Sequence, residues 1–243
     1  MTTTSDLEHD LPRTAAPTFD AAFRARLREL LVWRRDVRRF RRDALPAGAL
    51  ERLIGLAALA PSVGLSQPWR FVVVDDPARR EAVRAEFCAC NAQALAAYAG
   101  ATDAGAADAG AADAGAADAG DLATRYAALK LEGLREAPHH LAVFCDRATT
   151  LGHGLGRRTM PEMAEYSVVA AICTMWLCAR AEGIGMGWVS ILDPTRMTAL
   201  LDVPPDWRFI GYFCLGYPLH EDETPELERA GWERRVEACV LQR

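Results

Sequence analysis

Six arginines crowd the stretch WRRDVRRFRRD, Trp33 to Asp43: Arg34, Arg35, Arg38, Arg39, Arg41 and Arg42. A run this basic suits an anionic ligand, because guanidinium forks pair with phosphate in a fixed bidentate geometry. Asp36, in its middle, would repel that ligand. Neighbouring cations favour the charged form of a carboxylate, so Asp36 costs binding and is available as a base. Taken alone, a charge run is usually a solvated face and Asp36 an ordinary arginine partner at a helix end. A second polar group lies in APSVGLSQPWRFVVVD, residues 60–75, where Ser62, Ser66 and Gln67 sit on a loop with Gly64 and Leu65. Hydroxyls and an amide on such a loop suit a polar, planar ligand with a sugar chain, although a plain structural loop has the same composition. Ser167 opens the apolar run YSVVAAICTMWLCA; a serine there is most often a cap or a core hydroxyl bonded to backbone. His139, His140, His153 and His220 show no spacing that makes a Ser-His-Asp triad.

These residues need elements to hold them. Phe23, Leu27, Leu30 and Leu31 recur at helical spacing, so a helix with one apolar stripe runs into the arginines. Leu50, Leu53, Ile54, Ala57 and Ala58 repeat the pattern until Pro61 stops it. RFVVVD, Arg70 to Asp75, reads as a buried strand, and Asp76-Pro77 caps a helix through Phe87 to Tyr98. A further amphipathic stretch with Leu122, Tyr126, Leu129 and Leu134 ends before Pro138, and HLAVFCD, His140 to Asp146, is a second strand. A buried helix from about Tyr166 to Glu182 follows. GIGMGWVSIL then leads into a strand near Trp188 to Leu192, a short helix capped by Asp193-Pro194 and a last strand WRFIGYFCLG. Helix outweighs strand and the alternation is uneven, which predicts an α+β fold with a mixed sheet flanked by helices around one core.

Composition narrows the function classes. The 243 residues are 51% hydrophobic and 25% charged with a net charge of −5, a globular balance that favours neither nucleic acid nor a membrane surface. The longest apolar run is shorter than the roughly 20 residues that span a bilayer. The first 18 residues are polar and acidic, without the apolar core of a secretory signal, and read as a flexible arm ahead of a single domain, 19–243. Residues 101–121 carry a five-residue Asp-Ala-Gly repeat. Five residues advance about 500° on a helix, so the repeat builds no face and reads as a mobile or weakly helical insert. Seven cysteines, an odd count without CxxC pairs, read as reduced core residues of a cytoplasmic protein and not as a metal site.

The combination of RRDVRRF, PSVGLSQPW, GIGMGWVSI and LGYP followed by the arginine pair of GWERR resembles the nitroreductase superfamily of flavin proteins over roughly residues 20–240 apart from the repeat. That resemblance implies a flavin-reductase-like fold, a homodimer with FMN between subunits, and a cofactor set of Arg34, Arg35, Asp36, Val37, Arg38, Ser62, Leu65, Ser66, Gln67, Gly187, Trp188, Ser190 and Arg235, with Arg234 the alternative to Arg235 at the phosphate. Asp36 stands where the superfamily has serine. With TMPEMAEYSVV, GWVSILDP and ELERAGWE, this resembles a flavin-destroying branch that treats FMNH2 as substrate and O2 as co-substrate, fed by a separate NAD(P)H-flavin reductase. The resemblance implies catalytic roles for Asp36 at the ribityl end and for Ser167. The rivals are an NAD(P)H-dependent FMN nitroreductase that retains its flavin, and a non-catalytic flavin carrier.

Overall fold

The carboxylate of Asp20 accepts the Phe23 N–H at 2.7 Å and starts helix α1, Ala21–Trp33, which ends where Arg34 turns to extended backbone. The computed structural model that shows this describes residues 16–109, 124 and 131–243. The stripe expected on α1 is present, but Phe23, Leu27 and Leu31 are 47%, 40% and 50% exposed. Helix α2, Ala49–Ala57, instead buries its apolar face through Ala49, Leu50, Leu53 and Ala57.

Strand β1, Trp69–Val73, precedes helix α3, Pro77–Ala109, whose first turn is capped by the Asp76 carboxylate. Strand β2, His139–Asp146, leads to helix α4, Met163–Ala181, then strand β3, Gly185–Val189, helix α5, Pro194–Leu200, and strand β4, Trp207–Gly216. Short turns Val63–Leu65, Leu151–Arg157 and the four-residue helix α6, Glu226–Arg229, accompany them, and residues 131–136, ahead of Pro138, are helical as expected. The strands form one sheet in the order β1-β2-β4-β3, with every neighbouring pair antiparallel. The parallel component expected of a mixed sheet is a single bridge, Asp36 to Met186.

Successive residues of β2 enter opposite cores, as a strand's period of two requires. Leu141, Val143 and Cys145 face α2 and α4, among Leu53, Ile172, Met175 and Phe213. Ala142 and Phe144 face the other layer, among Phe40, Val83, Phe87, Met197 and Tyr212. Helix α4 is buried along Ala164, Ser167, Val168, Ala171, Ile172, Met175, Trp176 and Ala179, the recurrence of a helix lying flat on a sheet. It ends sharply because Gly183 takes φ +74°, with Gly183 N–H bonded to Arg180 O and Ile184 N–H to Ala179 O. This glycine-terminated cap turns the chain straight into β3.

Two expectations change. The strand placed near Trp188 to Leu192 begins earlier, at Gly185, because its glycines are where another segment lies against it. Only Cys145 and Cys214 among the seven free cysteines are buried, whereas Cys88, Cys173 and Cys239 are exposed. Residues 103–109 of the repeat continue α3, the helical of the two conformations expected; the remainder of the insert, and Leu122, Tyr126 and Leu129, lie outside the described residues.

Candidate functional site

Leaving α1, the chain runs as an extended strap, Arg34 to Arg38, along the outer side of β3. Val37 N–H donates to Met186 O at 3.0 Å. A side chain at Gly187 would put its Cβ 2.1 Å from the Val37 carbonyl oxygen, so only glycine lets the strap lie this close. Gly187 therefore serves the strap by having no side chain. Asp36 is held at both oxygens: Oδ1 accepts the Trp188 backbone N–H at 2.8 Å, and Oδ2 pairs with Arg38 at 2.9 Å. The Asp36 side chain is 27% exposed and that of Arg38 only 4%.

Arg34 lies over the Trp176 ring, 5.3 Å from its centroid, while the Trp176 indole N–H donates to Arg35 O at 3.0 Å. Arg35 turns the other way, toward the C-terminal segment, donating to His220 O at 3.3 Å and standing 3.7 Å from Glu221. Burial pulls the Arg35 guanidinium below its usual range, with the Glu221 carboxylate opposing.

The loop Ser62–Gln67 sits at the far end of α4. Ser167 Oγ donates to Met163 O at 2.6 Å and accepts the Val63 N–H at 3.0 Å, so this buried hydroxyl ties loop to helix. Ser62 Oγ accepts the Gln67 N–H at 3.1 Å. Leu65 and Gln67 both take positive φ, +56° and +44°, backbone that non-glycine residues adopt rarely and at a cost. Gly64 packs on Gly152 so closely that a Cβ on either would lie within 2.6 Å of the other's carbonyl oxygen. Ser66 Oγ is buried without a hydrogen-bond partner.

The expected residues thus fall into two groups. Arg34, Asp36, Val37 and Arg38 lie on the strap, where Asp36 and Val37 meet Trp188 and Gly187; Ser62, Leu65, Ser66 and Gln67 lie on the loop that Ser167 ties to α4 through the Val63 N–H. Trp176 and Ser167, the anchor points on α4, are nine residues apart and so about 13 Å along the axis. Ser190 is exposed just beyond β3, and Arg235 lies on the exposed C-terminal tail. Trp176 and Glu221 were not anticipated: their partners are remote in sequence, and a tryptophan in an apolar helix reads simply as core.

The donor set suits FMN. Among the described residues Arg34 has no ion-pair partner and so has charge to spare for a phosphate, and the orphaned Ser66 hydroxyl needs a polar partner. His140 belongs elsewhere: it is buried, with Nδ1 2.9 Å from the Tyr212 hydroxyl, and burial lowers its pKa to about 4. Among the described residues no group of His, Cys, Asp and Glu could hold a metal ion, and no helix is long and apolar enough to cross a membrane.

The profile of the Nitroreductase family matches residues 31–217. A 5,6-dimethylbenzimidazole synthase of Rhodospirillum rubrum is 52% identical over 93% of this chain and 98% of its own length. One of Rhodobacter capsulatus is 44% identical over 90% and 96%. Among solved structures, iodotyrosine deiodinase bound to FMN and 3-iodo-L-tyrosine is similar with a TM-score of 0.64, at 22% identity, over 89% of this chain and 98% of that one.

Proposed function

The chain belongs to the nitroreductase family, and from that premise we propose that it is an enzyme that converts reduced FMN and O2 to 5,6-dimethylbenzimidazole, the lower ligand of vitamin B12, with release of erythrose 4-phosphate. The observation that carries this reading is the 52% identity along nearly the whole length of a 5,6-dimethylbenzimidazole synthase, which favours it over a flavin-retaining nitroreductase. Asp36 agrees, since an acid among phosphate-binding arginines is hard to explain by binding alone.

Reduced FMN supplies the electrons and the carbon skeleton, its ribityl C1′ becoming C2 of the benzimidazole. The chain's own residues bind it and move protons. Arg34 neutralises the phosphate, with Arg38 holding Asp36 beside the ribityl chain. The Asp36 carboxylate takes and returns a proton there, its orientation set by the Trp188 N–H and Arg38. Ser167, whose own proton is on Met163 O, acts by positioning the loop that presents Ser66 and Gln67 to the ring. Because the two groups stand apart on α4, a homodimer with flavin between the strap of one copy and the loop of the other brings them together. The exposed α1 stripe supports such pairing. The enzyme acts in the cytoplasm, and a separate NAD(P)H-flavin reductase supplies its substrate.

The test is to incubate the protein with FMN, a flavin reductase, NADPH and air, and to look for 5,6-dimethylbenzimidazole by mass. Loss of flavin absorbance with appearance of that product is expected. Steady NADPH oxidation by the protein alone, with flavin absorbance retained, would overturn the reading in favour of a nitroreductase.

A further inference from the structure

Behind the strap, between it and the C-terminal segment, is a cavity of about 30 Å³ walled by Arg35, Asp36, Arg38, His220, Glu226 and Arg229. That is above the roughly 10–15 Å³ a cavity needs to hold a water. The Arg35 side chain is 6% exposed, and its Nε–H is buried without a hydrogen-bond partner. A buried donor in that condition is costly, and buried polar groups are as a rule satisfied by protein or by an ordered water.

The charges in the wall decide between a water and an anion. Arg38 is paired with Asp36 at 2.9 Å and Arg229 with Asp222 at 2.9 Å, Arg35 faces Glu221 at 3.7 Å, and Arg39, also in the wall, pairs with Glu132 at 2.9 Å. Arg35 shares Glu221 with Arg180, which sits closer at 2.7 Å, and Glu226 adds a further carboxylate, so the guanidiniums of this wall and Arg180 are matched by as many acids. An anion would find no surplus positive charge there. The lining offers a neutral water one donor, Arg35, and two acceptors, Asp36 and Glu226, a set within the two to four partners that hold a buried water.

We propose that this cavity holds one ordered water, hydrogen-bonded to Arg35 Nε, and that it links Asp36 to Glu226 as the route by which Asp36 exchanges its proton with solvent. This rests on the reading of Asp36 as the proton-handling group. The transfer balances without a co-reactant: protonated Asp36 gives its proton to the water, the water passes one to the half-buried Glu226 carboxylate, and Glu226 releases it to solvent. Asp36 returns to a carboxylate between turnovers. Arg35 is then a positioning residue, holding the water in line instead of gripping the flavin.

The experiment has a structural and a kinetic arm, both on the full chain with FMN present. A high-resolution crystal structure is expected to show a solvent peak about 2.7–3.2 Å from Arg35 Nε; no peak, or anomalous signal there from a bromide soak, would overturn the proposal. Glu226→Gln is expected to keep wild-type melting temperature and FMN affinity. It should lower the rate of product formation by about 10-fold or more and change the solvent deuterium isotope effect. A Glu226→Gln variant with wild-type rate and isotope effect would defeat the relay even if the water is present. Wild-type protein that makes no product would defeat the proposed function instead, and the crystallographic arm would still decide on the water.

Discussion

At the scale of single residues, Asp36 and Ser167 came from the same resemblance and differ in what holds them. Asp36 is partly open, with a buried cation on one oxygen and a backbone N–H on the other. Asp36→Asn keeps an acceptor for the Trp188 N–H but strips the counter-charge from buried Arg38, a loss of about 1–3 kcal/mol. Flavin affinity should hold or rise, because a charge that repels phosphate is gone. Product per folded, flavin-bound molecule should fall by about 10² or more. Melting temperature, flavin affinity and product yield measured on one preparation separate these effects, and an unchanged yield would remove Asp36 from the chemistry. Ser167→Ala, in contrast, leaves the Val63 N–H without its partner, which costs about 1–3 kcal/mol. It should weaken FMN binding through the loop while saturated turnover changes little. A variant that binds FMN normally but turns over slowly would return Ser167 to a direct role.

Among elements, β2 and β4 carry a titration that the candidate chemistry does not use. His140 on β2 and Tyr212 on β4 are bonded inside the second core, and burial, with Arg80 beside it, pulls the His140 pKa from 6.5 to about 4. The folded state therefore resists a proton that the unfolded chain accepts. Stability from this source is fully present above about pH 6.5 and drains as pH falls toward about 4, by up to roughly 3 kcal/mol. Chemical denaturation at pH 7 and at pH 4.5 checks this: His140→Gln should flatten that part of the pH dependence. A wild-type slope in the variant would assign the acid sensitivity to other groups.

For the whole molecule, the exposed face of α1 is the feature a lone chain leaves unexplained. Phe23, Leu27 and Leu31 repeat at helical spacing, yet each is at least 40% open. Contiguous apolar surface of this kind marks an interaction site. The proposed homodimer would use this face: light scattering is expected to find wild type as a dimer and Leu27→Glu as a monomer, with the unfolding of the separated chain nearly unchanged and flavin binding weakened along with dimerisation. A variant that stays dimeric would move the interface elsewhere on the surface.

Much of this architecture was legible in local pattern. Helical spacing found α1 and α2, and the long apolar run found α4; Asp76-Pro77 and Asp193-Pro194 marked helix starts; WRFIGYFCLG was β4 to the residue. Each is decided within a turn or two of chain, by periodicity and by capping groups that lie next to what they cap. The residue types of the site were legible too, because RRDVRRF and PSVGLSQPW carry their chemistry in short motifs. Tertiary structure alone decided their partners. Asp36 meets the N–H of a residue 152 positions away, Ser167 the N–H of one 104 positions back, and Arg35 a segment 185 positions on. β3 starts at Gly185 because the Asp36–Val37 strap lies against its glycines, and a backbone approach of that kind leaves no trace in local periodicity. Spacing along the chain sets which groups are present; only packing sets which oxygen each donor finds and which of them remain open to a ligand.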